Sequence, residues 1–219
     1  MIVKRENIFK RNLILLLSFT LLLSVQKINA QTFLNSIKER ISLGVKAEGN
    51  GTNFIIKNNP NLKSKIDFGG AIGTIIRFKL TENLAIQEDI MFVYNSSTIE
   101  RNGVDDKFQY FGTEVPIYLM GQWKNNSDGR FFIGAGPYFG LGFSGKYKND
   151  DIDVFKKYDG NKSEMKRISN GLAANIGYEL SSGLQLNATY KYGFNSLNKD
   201  KNEYKMLPQS FSFGLGYSF

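Results

Sequence analysis

The stretch "QSFSFGLGYSF" (Gln209–Phe219) alternates without a break. Phe211, Phe213, Leu215, Tyr217 and Phe219 share one face of an extended chain, and Ser210, Ser212, Gly214, Gly216 and Ser218 share the other. A period of two is the signature of a β-strand. A face this rich in aromatics opposite small polar residues needs an apolar environment on one side only. The rest of the chain decides what that environment is.

The same period dominates from Arg40 onward. It predicts eight strands, over residues 41–49, 65–80, 84–99, 107–124, 130–145, 167–180, 184–195 and 207–219. In the seventh, Leu184, Leu186, Ala188, Tyr190, Tyr192 and Phe194 alternate with Gln185, Asn187, Thr189, Lys191, Gly193 and Asn195. In the sixth, Leu172, Ala174, Ile176, Tyr178 and Leu180 oppose Gly171, Ala173, Asn175, Gly177 and Glu179. In the second, Ile66, Phe68, Ile72, Ile76 and Phe78 oppose Asp67, Gly69, Gly73, Arg77 and Lys79. A soluble ligand-carrying barrel would turn the large apolar face inward, and a transmembrane barrel would turn it to lipid. Alternation by itself permits both.

Three features select the membrane. The first is the N-terminus. Lys4, Arg5, Lys10 and Arg11 precede an apolar run from Leu13 to Val25, and Ile28-Asn29-Ala30 follows. That order predicts a secretory signal peptide over residues 1–30, cleaved after Ala30. Its apolar run is shorter than the ~20 residues of a spanning helix. The second feature is the connections: 81–83, 125–129 and 181–183 are short and rich in turn residues, and the other four are expected to be longer and polar. Short turns at one end and long loops at the other are the habit of outer-membrane barrels. The third is the concentration of aromatics near strand ends. Trp123, Tyr178 and the terminal Phe219 are expected at the inner membrane boundary, where the last strand pairs with the first. The expected architecture is all-β: an eight-stranded antiparallel up-and-down transmembrane β-barrel over residues 40–219, after a short periplasmic lead-in over 31–39.

Composition narrows function. The chain has no cysteine and no histidine, and a formal net charge of +8. The signal carries Lys4, Arg5, Lys10, Arg11 and Lys27 against Glu6, so the mature charge is 8 − 4 = +4. The remaining charges are mixed rather than striped, which argues against a nucleic-acid partner. Small-barrel acyl hydrolases activate serine with histidine, and a serine needs some base; a non-enzymatic protein is expected. "NDDIDV" (149–154) and "DGNKSE" (159–164) lack the spacing of an EF-hand loop and read as a solvated outer loop. No cofactor or metal is called for.

The polar faces place Glu114, Lys46, Glu48, Lys191, Asp67, Arg77, Lys79 and Glu179 in the lumen. Eight strands enclose little more than their own side chains, so these charges must pair or be hydrated. Depth along the strands suggests one layer joining Glu114 to Lys191 or Lys46. A lower layer joins Glu179 to Arg77 or Lys79. The many lumen glycines, including Gly112, Gly134, Gly136 and Gly140, are expected to make room for the rings of Tyr118 and Tyr138.

"YFGTEVPIYLMGQW" (110–123), a tight turn, then "FFIGAGPYFGLGFSG" (131–145) resembles the PorT-like outer-membrane β-barrel family. The resemblance rests on Glu114-Val115-Pro116-Ile117 and Gly134-Ala135-Gly136-Pro137, which match that family's aliphatic-Glu-aliphatic-Pro and Gly-x-Gly-Pro stretches. The terminal strand, with Tyr217 and Phe219, resembles the signal read by the outer-membrane assembly machinery. The resemblance implies residence in the outer membrane, contact with lipid and lipopolysaccharide, and an envelope or secretion protein as partner; the member that names the family is tied to type IX protein secretion. The expected function is a structural or binding role in the cell envelope, accessory to secretion. The alternative is a porin-like small-solute channel.

Overall fold

The computed structural model describes residues 39–125, 128–148, 153–156, 163–199 and 204–219. The expected signal peptide and residues 31–38 of the lead-in lie outside the described residues. So does most of the segment weighed for calcium.

Eight antiparallel strands form one closed ring: β1 (Ile41–Lys57), β2 (Leu62–Lys79), β3 (Leu84–Arg101), β4 (Val104–Lys124), β5 (Arg130–Tyr147), β6 (Ile168–Glu179), β7 (Leu184–Gly193) and β8 (Lys205–Ser218). Each strand pairs with its sequence neighbours, and β1 closes on β8 from Gly44 opposite Ser218 to Lys57 opposite Lys205. Closure leaves no sheet edge, the condition under which strands survive in hydrocarbon.

The side chains fall on the two faces as the alternation requires. Outward, Phe68 is 72% exposed and Phe213 67%. Inward, Ile75, Gln87, Asp89, Tyr118, Gln185 and Ser212 are fully buried. The ten residue steps from Phe68 to Phe78, at ~3.3 Å each and tilted ~40°, rise ~25 Å, the height of a lipid-facing band. Aromatics mark both margins. At the short-turn end Trp123 stacks on Phe131 at 6.2 Å, and Asn125 Nδ2 donates to the Tyr178 hydroxyl at 2.7 Å. At the other end Gln109 Nε2 donates to Tyr94 at 2.6 Å, and Gln209 Nε2 to Tyr190 at 2.7 Å.

The structure corrects the expected loops. β1 runs on to Lys57 rather than stopping at Gly49, so its connection to β2 is only residues 58–61. The β3–β4 connection is the two-residue turn Asn102-Gly103, with φ of 52° and 82°. Positive φ at both positions is the type I′ geometry that suits strand twist, and Asn-Gly is its preferred pair. The strict alternation of short and long connections therefore fails. Long connections remain only after β5 (148–167) and after β7 (194–204).

The hidden strand ends were missed for a physical reason. Above the lipid band the polarity of the faces reverses. Leu62, Ile99, Phe108, Phe54 and Met206 point inward and are buried. Lys65 points outward and pairs with Glu100 at 3.0 Å and Asp105 at 2.9 Å. Register shifts sit near the change, between Ile66 and Gly70 on β2 and beside Gly112 on β4.

Phe213→Arg tests which face meets lipid. It is expected to cost roughly 2–4 kcal/mol, the penalty for arginine near a bilayer midplane. The measurement is urea unfolding of the barrel in phospholipid vesicles. An unchanged midpoint would contradict the orientation.

Candidate functional site: the filled lumen

The lumen is built in three storeys. The lowest, at the short-turn end, centres on Glu179 of β6. Arg77 Nη1 donates to its Oε2 at 2.7 Å, and Arg130 of β5 donates to its Oε1. Arg77 Nε also donates to Gln87 Oε1 at 2.9 Å, and the guanidinium lies over the Phe132 ring at 5.3 Å. Arg130 Nη1 reaches Gln122 Oε1 at 3.2 Å. Lys79 is half-buried and forms no ion pair among the described residues.

The middle storey centres on Lys46 of β1. Its Nζ lies 2.7 Å from Glu48 and 2.9 Å from Asp89. Glu48 also accepts from Ser212 at 3.0 Å and Thr189 at 3.2 Å. Asp89 accepts from Gln87 Nε2 at 2.8 Å. Gln87 thus joins the lower two storeys, and one chain of polar contacts links β1 through β6.

The third storey is the pair of Glu114 on β4 and Lys191 on β7. Asn95 Nδ2 donates to the other Glu114 oxygen at 3.2 Å. Lys46 is not its partner; it is held lower by Glu48 and Asp89. In all, Lys46, Arg77, Arg130 and Lys191 meet Glu48, Asp89, Glu114 and Glu179, four cations against four carboxylates. All but the half-buried Arg130 are buried, where an unpaired charge costs several kcal/mol. Side-chain atoms of Asn50, Thr52 and Asn187 meet no protein partner, and such polar atoms are the natural seats of lumen water.

Above these storeys the interior becomes apolar. Phe155, from the connection after β5, packs edge-on to Tyr110 at 6.1 Å, and Phe54 packs on Phe108 at 5.7 Å. Val154, Met165 and Leu197 join the same cluster. Arg167 holds the plug: it donates to the carbonyls of Gly142 at 3.1 Å and Phe143 at 2.9 Å, over the Phe155 ring. A Cβ on Gly142 would stand 2.7 Å from that ring. Among the described residues, Gly142 admits Phe155 and Tyr110, Gly112 admits Tyr110, and Gly171 and Gly193 admit Tyr138. Between plug and third storey remains a cavity of ≈ 30 Å³, with Glu114, Lys191, Tyr138 and Thr52 on its walls. It has room for a water or two.

Asp89, Arg130 and Phe155 were not singled out in the sequence. Asp89 was within reach: with Ile86, Ile90 and Phe92 outward, the period places it inward beside Gln87 and Met91. Arg130 opens β5 at the turn, where the alternation has only begun. Nothing local marks Phe155.

A closed ring of eight strands with a polar interior and two aromatic margins is the geometry of an outer-membrane barrel. The model of the family described as "Outer membrane protein beta-barrel domain" matches residues 29–199. The chain belongs to this family. It is an outer-membrane protein. Among solved structures it is similar to the outer membrane protein OprG from Pseudomonas aeruginosa, at 16% identity over 82% of this chain and 97% of that one, with a TM-score of 0.51. It is also similar to Neisserial surface protein A, at 15% identity over 81% and 97%, TM-score 0.43. The attachment invasion locus protein Ail of Yersinia pestis follows at 14% over 82% and 99%, TM-score 0.41. At these identities the likeness is one of fold. No curated protein matches the chain.

Lys191→Met strands Glu114 without its cation and is expected to cost about 3–5 kcal/mol. The further change Glu114→Leu should restore much of that. The temperature at which the folded band is lost in heated, unheated gel pairs gives the readout. Equal loss in single and double variants would show that the pair is not coupled.

Proposed function

We propose that the protein is a non-enzymatic, closed barrel with a binding or structural role in the cell envelope. The observation that carries this reading is the filled lumen: three polar storeys below whose four cations and four carboxylates balance in sum, an apolar plug above, and a cavity of ≈ 30 Å³ between them. A solute path needs continuous water, and here each level is occupied by side chains. What is left to meet partners is the outer wall and the raised rim. Exposed Lys63 and Lys205 on that rim suit lipopolysaccharide or an acidic envelope protein.

The PorT-like resemblance supports an accessory role beside secretion. Its two motifs lie on adjacent strands, β4 and β5, with Glu114 in the third storey. Tyr217 and Phe219 both point outward at the inner margin, with Phe219 77% exposed, open to recognition by the assembly machinery before insertion.

Planar bilayers containing the purified protein are expected to show no conductance steps above the bare-membrane level. Steady single-channel steps would instead support the small-solute channel and would require the Phe155 plug to leave its seat.

A further inference from the structure

The lipid-facing wall carries an acidic side chain that the fold does not use. Glu88 lies on the outward face of β3, between Ile86 and Ile90, opposite Ile76 of β2 and Ile117 of β4. It stands four residues above Leu84, at the inner end of β3, and six below Tyr94, at the outer margin. At ~3.3 Å per residue and ~40° of tilt it sits ~10 Å inside the apolar band. No side chain among the described residues reaches it with a hydrogen bond or ion pair. Its neighbour Asp89 faces the lumen and binds Lys46. A carboxyl held in hydrocarbon is costly and marks a site that does something.

A second unpartnered polar group stands beside it. Thr74 is exposed on the outward face of β2, in register with Ile90, diagonal to Glu88. Such diagonal positions lie roughly 7–8 Å apart. Close by, Ala47, Gly49 and Gly70 leave a depression of about 1010 Å³ in the wall, between Phe92 and Phe213.

We propose that this β2–β3 face is the contact between two copies of the chain lying side by side in the membrane, with the Thr74 hydroxyl of each donating to the Glu88 carboxylate of the other. Two copies inserted in the same sense are related by an axis along the membrane normal, so each residue meets residues of its own depth. Such a contact is isologous and makes every pair twice. A donor beside an acceptor is therefore its own complement. Among the described residues this band offers no outward basic side chain to serve instead. The depression lets two walls approach, and lipid would otherwise leave both polar groups unsatisfied. The inference is independent of whether the lumen conducts.

The chain has no cysteine, so one introduced cysteine reports its own surroundings. Full-length protein carrying Ile86→Cys on β3, or Ile176→Cys on the far wall, is placed in phospholipid vesicles and treated with a short bismaleimide. A cross-linked dimer is expected from Ile86→Cys and not from Ile176→Cys. Adding Glu88→Leu or Thr74→Val should weaken the dimer by roughly tenfold or more, as loss of two hydrogen bonds in lipid implies. Glu88→Gln keeps an acceptor and should retain it. All variants should keep the heat-dependent gel shift, since no packing is removed. Absence of the dimer, equal dimer from both cysteines, or a dimer indifferent to Glu88→Leu overturns the proposal. A cellular cross-link whose mass is not twice the chain would also overturn it and assign the face to another membrane protein.

Discussion

The structure depends on one constraint: in hydrocarbon no water is present to satisfy a backbone N–H or C=O. Every strand must therefore have two partners, and the pairing of β1 with β8 is the step that makes this true for all eight. The alternation of Gln209–Phe219 follows from it. A strand that seals a barrel must offer lipid one face and the lumen the other along its length, and small lumen residues there let the wall curve tightly. Gly214 shows the fit: a Cβ would stand 2.6 Å from the Glu48 side chain.

Closure creates a second problem, which the lumen solves. Inward positions are withdrawn from bulk water at the same moment as outward ones are given to lipid. Polar residues there must find partners on other strands, and they do so across the barrel. Glu179 on β6 holds Arg77 of β2, Glu114 on β4 holds Lys191 of β7, and Glu48 on β1 reaches Thr189 of β7. These contacts tie walls that share no backbone hydrogen bonds. The interior is thus both neutral and cross-braced, and the same bracing is what leaves so little open volume.

Which face each lipid-band residue takes was legible in the sequence because the two environments differ sharply and the period of a strand is two. The strand count, the ring order and the inward placement of Arg77, Glu179, Lys46, Glu114 and Lys191 all follow from that contrast. Pair identity was less legible. Counted along their strands Lys46 and Lys191 come out at similar depth, and only the three-dimensional ring shows that Asp89 holds the first one storey lower. The extension of β1 to Lys57 and of β4 to Val104 was hidden because the expected contrast reverses there: apolar residues such as Phe108 turn inward while Lys65 turns out. A segment that obeys water's rule looks like a polar loop when lipid's rule is applied to it. Phe155 was hidden because its role is set by a loop folding back, and no periodicity announces that.

The reversal also explains the outer end. Once β1 to β5 rise beyond the lipid, their outer face meets water and their inner face must exclude it. β6 and β7, of 12 and 10 residues, do not rise with them. The tall side would then show a half-open apolar surface made of Phe54, Ile99, Phe108 and Tyr110. The connections after β5 and β7 supply what the short strands lack: Val154, Phe155 and Met165 from one, Leu197 from the other, packed into a single buried cluster. The protein therefore holds two cores in one wall. The lower is polar inside and apolar outside, and the upper is the reverse. The plug belongs to the second: Val154, Phe155, Met165 and Leu197 are there because the raised sheet needs an inner layer.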